Sequence, residues 1–216
     1  IVLTNEDREN WKELKNITVI NNPLSSYPKF TSSRSNKRVI AVGRFVYQKG
    51  FDMLLDAWKK VIEKHKDWHL YIFGSGDKTA YIDIAKKMNI IDNCHLNDAV
   101  KDIDSEYCKS SIFAFSSRFE GFGMVLIEAM SCGLPCISFD SPCGPKDIIE
   151  NGENGFLIHD FDIKDFATKL GLMIEDKELR DTMGDKALLS SEKYSIDEIG
   201  NQWKTLFDRL YLKKHS

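Results

Sequence analysis

The residues with the clearest chemical potential in this sequence are two glutamates, Glu120 and Glu128, on either side of a glycine-rich segment. The apolar run at residues 112–115 predicts a buried strand, and the good helix formers at residues 124–130 predict a helix. The Gly-Phe-Gly at residues 121–123 is predicted to be the loop between them. Such a loop directs backbone N–H groups and the positive end of the helix dipole at one place, which suits an anion. Because carboxylates beside it can accept hydrogen bonds from hydroxyl groups, the pattern predicts a pocket for a nucleotide sugar.

An earlier loop carries two cations, Arg44 and Lys49, directly after the apolar run at residues 39–42. Ligands of a parallel sheet bind at the carboxyl ends of its strands, so we expect this loop near the same edge as Glu120. Arginine offers a planar fork of donors and lysine a compact charge, and both suit a diphosphate. The alternative is a solvated basic loop without a ligand.

Each of the other loop features has a simpler structural alternative. The Gly-Ser-Gly at residues 74–76 is half of a dinucleotide-binding fingerprint, but no third glycine follows. We interpret it as a tight strand-to-helix turn, with a backbone contact to phosphate as the alternative. The alternative for Glu128 is a carboxylate that merely favours an early helix turn, and for Glu120 a solvated loop residue. Their pairing around the glycine-rich loop favours the ligand-binding interpretation.

The composition and the missing motifs exclude several classes of protein. The 216 residues are 42% apolar and 29% charged, which is typical of a globular protein. A formal charge of -3 argues against nucleic acid as the main partner. No apolar run reaches the roughly 18 residues that span a bilayer. Five cysteines without C-x-x-C spacing are typical of reduced thiols, so we expect a cytoplasmic protein. The histidines show no metal-ligand spacing, and neither a phosphate-binding-loop motif nor a G-x-S-x-G motif is present.

From residue 38 onward, short apolar runs alternate with amphipathic segments. Strands are predicted at residues 39–42, 68–73, 93–96, 112–115, 135–139 and 156–158. Helices are predicted at residues 50–64, 78–88, 102–108, 124–130, 162–174, 176–191 and 195–211. Apolar strands joined by right-handed helical crossovers predict an α/β fold with a doubly wound, Rossmann-like parallel sheet. Before residue 38, the sequence predicts a strand at 1–5, a helix at 6–14 and a strand at 17–20, followed by a polar stretch.

Several motifs, taken together, resemble the family 4 (group 1) glycosyltransferases. They are Gly-Arg-Phe at 43–45, Gln-Lys-Gly at 48–50, Glu-Gly-Phe-Gly at 120–123 with Glu128 eight positions after Glu120, Gly-Leu-Pro-Cys-Ile at 133–137, and Asn-Gly-Glu-Asn-Gly-Phe-Leu at 151–157. The likeness covers about residues 39–157 in the expected order. The resemblance implies a retaining glycosyltransferase with the two-domain GT-B fold, of which this chain is the donor-binding, C-terminal half.

The resemblance also implies a domain organisation. Residues 1–22 would be the tail of a missing N-terminal acceptor domain plus the crossing segment, and residues 23–37 a linker. Residues 38–194 would form the donor nucleotide-sugar-binding domain, and residues 195–216 a C-terminal helix that returns toward the N-terminal domain. The sequence starts without Met, so we expect a piece of a longer protein that binds nucleotide weakly and transfers nothing by itself.

The resemblance assigns residues to each part of the donor. Contacts with the diphosphate are implied for Gly43, Arg44 and Lys49. Glu120 is implied as the catalytic residue that holds hydroxyl groups of the transferred sugar. Backbone N–H groups that reach the sugar and phosphate are implied for Gly121, Phe122, Gly123 and Met124. Glu128 would bind the ribose, and the loop around Leu96 and Asn97 would meet the base.

The resemblance further implies that a nucleoside-diphosphate sugar, with a UDP-sugar favoured, is the substrate and that neither metal nor cofactor is needed. A glycan or glycolipid acceptor, in surface polysaccharide or glycolipid synthesis, would be bound by the missing domain. Membrane contact, at the inner face, would occur only through that domain. Residues 143–147 depart from the family pattern, because Cys-Gly-Pro-Lys-Asp replaces a Gly-Gly pair and a Glu. The alternatives are a sugar-nucleotide epimerase of the same architecture and a non-catalytic nucleotide-binding module.

Overall fold

The structure is a computed structural model that describes residues 1–215, except for the side chains of residues 160 and 213–215. Its centre is a six-stranded parallel sheet with the strand order β3-β2-β1-β4-β5-β6. The strands are β1 (Arg38–Val42), β2 (His69–Gly74), β3 (Cys94–Asp98), β4 (Ile112–Phe115), β5 (Cys136–Phe139) and β6 (Gly155–Ile158). The helices are α1 (Asn5–Asn10), α2 (Phe51–Ile62), α3 (Thr79–Lys87), α4 (Ile103–Cys108), α5 (Met124–Ser131), α6 (Pro145–Ile148), α7 (Ile163–Glu175), α8 (Lys177–Ser191) and α9 (Ile196–His215).

Helices cover both faces of the sheet. On one face, α2 and α7 contribute the buried Trp58 and Phe166 to a core cluster. On the other face, α4 and α5 contribute the buried Tyr107 and Met130 to a second cluster. Strands β4, β5 and β6 are buried along their whole length, because both faces of a parallel sheet are covered by crossover helices. The predicted α/β class and the doubly wound, Rossmann-like parallel sheet are confirmed.

The strand order creates a crevice at the centre of the sheet. Strand β1 pairs with β2 on one side and with β4 on the other. The chain therefore winds outward to β3 and returns to continue from β4 in the opposite direction. The helices that follow β1 and β4 pack on opposite faces of the sheet at this switch point, and ligands of open α/β sheets bind at the carboxyl ends beside it.

The elements after residue 38 were predicted correctly, with most ends displaced by a residue or two. The predicted strands at 1–5 and 17–20 are wrong, because that region holds only an isolated bridge between Val2 and Val19. An isolated strand pair without further neighbours is marginal. The helix predicted at 6–14 is shorter: the Thr4 hydroxyl caps it by accepting from the Asp7 N–H at 3.0 Å, and it ends at Asn10. Helix α6 was not predicted, since four residues are too few to show a helical period.

The segment at residues 23–37 contains no helix or strand, but it is fastened to the helices. The Ser32 N–H donates to the Cys132 carbonyl at 2.8 Å. Arg34 donates to the Gly133 carbonyl at 2.8 Å and pairs with Asp181 at 3.3 Å and with Asp185 at 2.6 Å. These contacts bind the stretch to the ends of α5 and α8. The division into tail, linker and donor domain stays a prediction.

The described part of the chain contains no helix long and apolar enough to cross a bilayer. Its five cysteines are free thiols, and burial raises the pKa of the Cys94 thiol to about 12. An inert thiol in the core is consistent with the expectation from the cysteine spacing.

Candidate functional site

The loop after β1 and the loop after β4 meet at the central crevice. Lys49, at the end of a short 3₁₀ helix (Tyr47–Lys49), forms an ion pair with Glu120 in the glycine-rich loop. The two side chains are only 14% and 10% exposed. A Cβ atom on Gly43 would lie 3.1 Å from the Lys49 side chain. The bare backbone of Gly43 therefore makes room for the aliphatic part of Lys49.

Arg118 connects the loop after β4 with the loop after β1 and the start of α2, through hydrogen bonds to Tyr47 and Asp52 that we call the clasp. Its guanidinium donates to both carboxylate oxygens of Asp52, at 2.8 and 2.5 Å, and to the Tyr47 carbonyl at 2.7 Å. Next to it, the Arg118 N–H donates to the Gln48 carbonyl at 2.8 Å, and the Gln48 amide donates to the Phe119 carbonyl at 2.9 Å. Burial acts to raise the pKa of Asp52, but the hydrogen bonds and charge of Arg118 outweigh it and lower that pKa.

A glycine allows the loops to approach this closely. Gly50 has φ +62°, and a Cβ atom there would lie 2.0 Å from the Ser116 carbonyl oxygen. The Ser116 hydroxyl donates to the Lys49 carbonyl at 2.8 Å on the same contact. Any side chain at Gly50 would therefore push the loop that carries Lys49 away from the loop that carries Glu120.

The N-terminus of α5 borders a cavity of about 250 Å³. The cavity, which we call the inner cavity, is lined by Leu3, Asn22, Lys49, Glu120, Gly121, Phe122, Gly123, Met124 and Val125. Gly121 faces open space, with no atom within 4 Å of a Cβ position. The side chain of Phe122 is instead buried against Tyr194, with ring centroids 5.7 Å apart, so only its backbone can serve a ligand. The first N–H groups of a helix lack intrahelical partners and can donate to an anion in such a cavity.

The neighbouring loop at residues 142–147 supports the glycine-rich loop from behind. The Glu120 N–H donates to the Pro142 carbonyl at 3.0 Å. Gly144 has φ +133°, and a Cβ atom there would lie 1.9 Å from the Phe122 carbonyl oxygen. The carboxylate of Asp147 accepts from the backbone and side-chain amides of Asn5, both at 2.8 Å. Asp147, which stands where the family pattern has a Glu, therefore binds the start of α1.

Glu128 lies one to two turns into α5 and lines neither cavity of the crevice. Its carboxylate accepts a hydrogen bond from the hydroxyl of the fully buried Tyr107 at 3.3 Å. Burial raises the pKa of Glu128, the Tyr107 hydrogen bond opposes that rise, and the charge of Asp104 adds to it. Hydrogen bonds from the hydroxyl groups of a ligand would stabilise the ionised form of such a half-buried carboxylate.

A second cavity, of about 270 Å³, lies on the other side of the β1–α2 loop. This outer cavity is lined by Val42, Gly43, Arg44, Phe73, Gly74, Ser75, Ala99, Val100 and Ile103. Arg44 is exposed and forms no salt bridge with any described side chain. Gly74 packs so closely that a Cβ atom would lie 1.8 Å from the Gly43 carbonyl oxygen. This packing favours the structural interpretation of the Gly-Ser-Gly sequence.

Leu96 and Asn97, assigned to the base, lie inside a strand and not in the loop after it, because β3 continues to Asp98. Leu96 packs against a core cluster, and the Asn97 amide donates to the His95 carbonyl at 2.9 Å. The loop residues that line the outer cavity come slightly later, at Ala99 and Val100.

Sequence reasoning missed some residues around the crevice. It gave no role to Arg118 and Asp52, which are 66 positions apart, or to Leu3 and Asn22, which line the inner cavity from the first part of the chain. No local pattern connects residues so distant in sequence. The sequence did predict that Lys49 and Glu120, which are 71 positions apart, lie at the same edge of the sheet, because both follow strands of one parallel sheet.

The doubly wound sheet, with a cation, a carboxylate and a helix N-terminus around its central crevice, is a Rossmann-like α/β domain, and such domains bind ligands at this position. Comparison with known sequences is more specific. The model of the family described as "Glycosyl transferases group 1" matches residues 27–189. The chain therefore belongs to the group 1 glycosyltransferase family, as the motifs indicated.

Two relatives show how much of a longer protein the chain matches. An uncharacterized glycosyltransferase of Haemophilus influenzae is 36% identical over 209 residues, which are 94% of this chain and 59% of the relative. The amylovoran biosynthesis glycosyltransferase AmsD of Erwinia amylovora is 34% identical over 220 residues, which are 96% of this chain and 61% of AmsD. The chain thus spans about 60% of the length of these relatives.

Solved structures agree with this assignment. A variant of Staphylococcus aureus TarM, in complex with fondaparinux, alpha-GlcNAc-glycerol and UDP, superposes with a TM-score of 0.87 at 29% identity, over 95% of this chain and 43% of TarM. The pneumococcal O-GlcNAc transferase GtfA, in complex with UDP and GlcNAc, gives a TM-score of 0.83 at 26% identity, over 97% of this chain and 44% of GtfA. The structural neighbours are GT-B glycosyltransferases, and the chain corresponds to part of that architecture.

Proposed function

We propose that the chain is the donor-binding half of a glycosyltransferase that moves a hexose-type sugar from a nucleoside-diphosphate sugar to an acceptor hydroxyl with retention. One observation carries the proposal. In a member of the group 1 family, Lys49 and Glu120 meet in one cavity at the N-terminus of α5. A cation and free N–H groups suit a phosphate, and a carboxylate beside them suits sugar hydroxyl groups.

The two cavities divide the donor between them. Gly43 and Arg44 line the outer cavity, and Lys49 lines the inner cavity, so one loop separates the two. A base in the outer cavity and a sugar in the inner cavity would place the ribose and the diphosphate between the two cavities, across this loop. UDP is our favoured carrier, since TarM and GtfA were each solved in complex with UDP.

The residues have distinct tasks in this proposal. Lys49, Arg44 and the N-terminus of α5 stabilise the negative charge that develops on the leaving diphosphate. Glu120 holds sugar hydroxyl groups, with the backbone N–H groups of residues 121–124 beside it, and Glu128 receives the ribose hydroxyls. None of these tasks uses a metal, and none of the described residues forms a cluster of three or more His, Cys, Asp or Glu side chains that could hold one.

The relatives support a proposal for the acceptor and the biological setting. We infer that the part of the longer protein outside this chain binds a glycan or glycolipid acceptor. AmsD is named for amylovoran biosynthesis, and another relative, 29% identical, is a poly(ribitol-phosphate) alpha-N-acetylglucosaminyltransferase of Staphylococcus aureus. Synthesis of a surface polysaccharide is therefore our proposed setting.

Calorimetric titration with UDP tests the donor site. The double variant Arg44→Ala/Lys49→Ala should lose about 2–5 kcal/mol of UDP binding, given roughly 1.5–3 kcal/mol for a hydrogen bond to a charged group. The matched control is Lys86→Ala/Lys87→Ala, which removes two exposed lysines of α3 and should leave UDP binding unchanged. Unchanged UDP affinity in the folded Arg44/Lys49 variant would contradict the proposed site.

Product analysis with the full-length protein tests the reaction class. A sugar transferred only when acceptor is present, with the anomeric configuration of the donor by NMR, is the expected result. Conversion of the donor without acceptor would indicate an epimerase. Failure to bind any nucleoside diphosphate would indicate a module with another ligand.

A further inference from the structure

A basic groove lies between α2 and α7, away from the crevice. It encloses about 480 Å³. Four lysines line it: Lys60 on α2, Lys64 in the turn that follows α2, and Lys164 and Lys169 on α7. Its remaining lining is Val61, His65, Ala167, Thr168, Gly171, Leu172 and Glu175. We call this surface the α2–α7 groove.

The four groove lysines lack the carboxylate partners that several other lysines have within the described part of the chain. None of them forms a salt bridge with a described side chain, whereas Lys37, Lys109 and Lys177 elsewhere all do. The ammonium of Lys169 lies 5.1 Å from the ring centroid of Phe156. The one carboxylate that lines the groove, Glu175, pairs with His65 at 3.2 Å. This local excess of positive charge occurs in a chain with 33 acidic and 30 basic residues.

The shape of the groove strengthens its attraction for anions. A cleft that is lined mainly by one sign of charge and walled by apolar groups focuses the electric field within it. Buried or side-chain-free residues, Val61, Ala167 and Gly171, contribute to its lining. A Cβ atom on Gly171 would have only the His65 Nε2 within 4 Å, at 3.8 Å, so this part of the groove is open.

The arrangement of the cations favours a linear ligand. Lys60 stands in the last turn of α2, and Lys64 in the turn that follows the helix. Lys164 and Lys169 stand on the facing helix, so a chain laid between the walls meets charges from both sides. A concave groove fits an extended chain better than the flat surface of a bilayer.

We propose that the α2–α7 groove binds a linear phosphodiester polymer. Lys60 lies ten residues after Gly50, about 15 Å along α2 from the loop that carries Lys49. A ligand that occupies both the groove and the crevice must therefore be a chain. That this polymer is the acceptor or the growing product rests on the proposed glycosyl transfer, but its binding to the groove does not.

Binding of fluorescein-labelled linear inorganic polyphosphate, followed by fluorescence anisotropy, tests the proposal. The variant Lys60→Glu/Lys164→Glu should weaken binding about tenfold or more and reduce the slope of log K against log salt by about 1–2. The control Lys86→Glu/Lys87→Glu changes the net charge equally on α3 and should weaken binding less than about twofold. Gly171→Leu, which fills the groove without a change of charge, should also weaken binding.

The outcomes separate this proposal from the donor site. UDP titration of Lys60→Glu/Lys164→Glu should match wild type, which also shows that the variant is folded. Equal weakening by the groove and α3 variants, or no binding of polyphosphate by wild type, would overturn the proposal. Binding to phosphatidylglycerol vesicles but not to polyphosphate would instead assign the groove to a membrane surface. If inorganic orthophosphate displaced the labelled polyphosphate as well as unlabelled polymer does, the proposal of a linear ligand would be overturned.

Discussion

The two ends of the β1–α2 loop are built differently. At one end, Lys49 is 14% exposed, paired with Glu120 and held by the clasp of Arg118 and Asp52. At the other end, Arg44 is exposed, and it borders the outer cavity without a salt bridge to any side chain of the described chain. In the sequence, these two cations looked equivalent.

The difference concerns the cost of ordering a side chain. A long side chain that is already fixed loses little further conformational entropy when a ligand binds, whereas a free one loses about 0.5–1.5 kcal/mol. The Lys49 end is thus preorganised, whereas the proposed donor would have to order the Arg44 side chain on binding. We expect changes in the clasp to act on Lys49 through geometry and changes at Arg44 to act through charge alone.

The largest effect is expected at the contact between the two loops. Gly50→Ala should destabilise the fold by roughly 3 kcal/mol, because its positive φ is strained for alanine and the new methyl group collides with the Ser116 carbonyl. Urea unfolding measures this change. The control is Gly121→Ala, where the methyl group enters open space and the cost should stay within about 0.5 kcal/mol. Equal losses for both variants would show that the loops are not pressed together at Gly50.

A smaller effect is expected from the same chemical change at the two ends. Arg118→Lys keeps the charge but loses the two-pronged contact with Asp52, so UDP affinity should fall about tenfold as Lys49 shifts. Arg44→Lys keeps the charge at a position without fixed geometry, so affinity should fall only about twofold. Calorimetry compares the two, and a greater loss for Arg44→Lys would reverse the proposed contrast.

The smallest effect is a change in pH dependence at Glu128. Burial raises the pKa of Glu128 above its usual 4.5, so the folded state holds the proton more tightly than the unfolded state. The wild-type protein therefore loses stability as the pH rises through the folded pKa, and Glu128→Gln removes that loss. In urea titrations, the free energy of unfolding of the variant, relative to wild type, should rise as the pH increases above about 4.5.

A second variant strengthens this test. The Tyr107 hydroxyl bonds to the Glu128 carboxylate and opposes the effect of burial. Tyr107→Phe should therefore make the loss of stability with rising pH steeper than in wild type. A difference between Glu128→Gln and wild type that is constant across pH would contradict a buried, raised Glu128.

Much of the fold could be predicted because its signals are local. Each strand from β1 to β6 is a short apolar run, and each crossover helix shows its own period. The wrong or missing predictions concern segments whose structure depends on residues far away in the sequence. Residues 1–5 and 17–20 have apolar content but no further strands beside them, and α6 is a single turn started by Pro145.

The parallel sheet, and the position of Lys49 and Glu120 at one edge of it, could be predicted from the amino-acid sequence, because parallel strands place their following loops at one edge. Which cation is fixed and which is exposed depends on the packing of the loops. Arg118 finds Asp52, and Leu3 and Asn22 reach the inner cavity, through contacts between residues far apart in the chain. Such contacts depend on how the loops pack once the sheet has formed, and no spacing within a single segment encodes them.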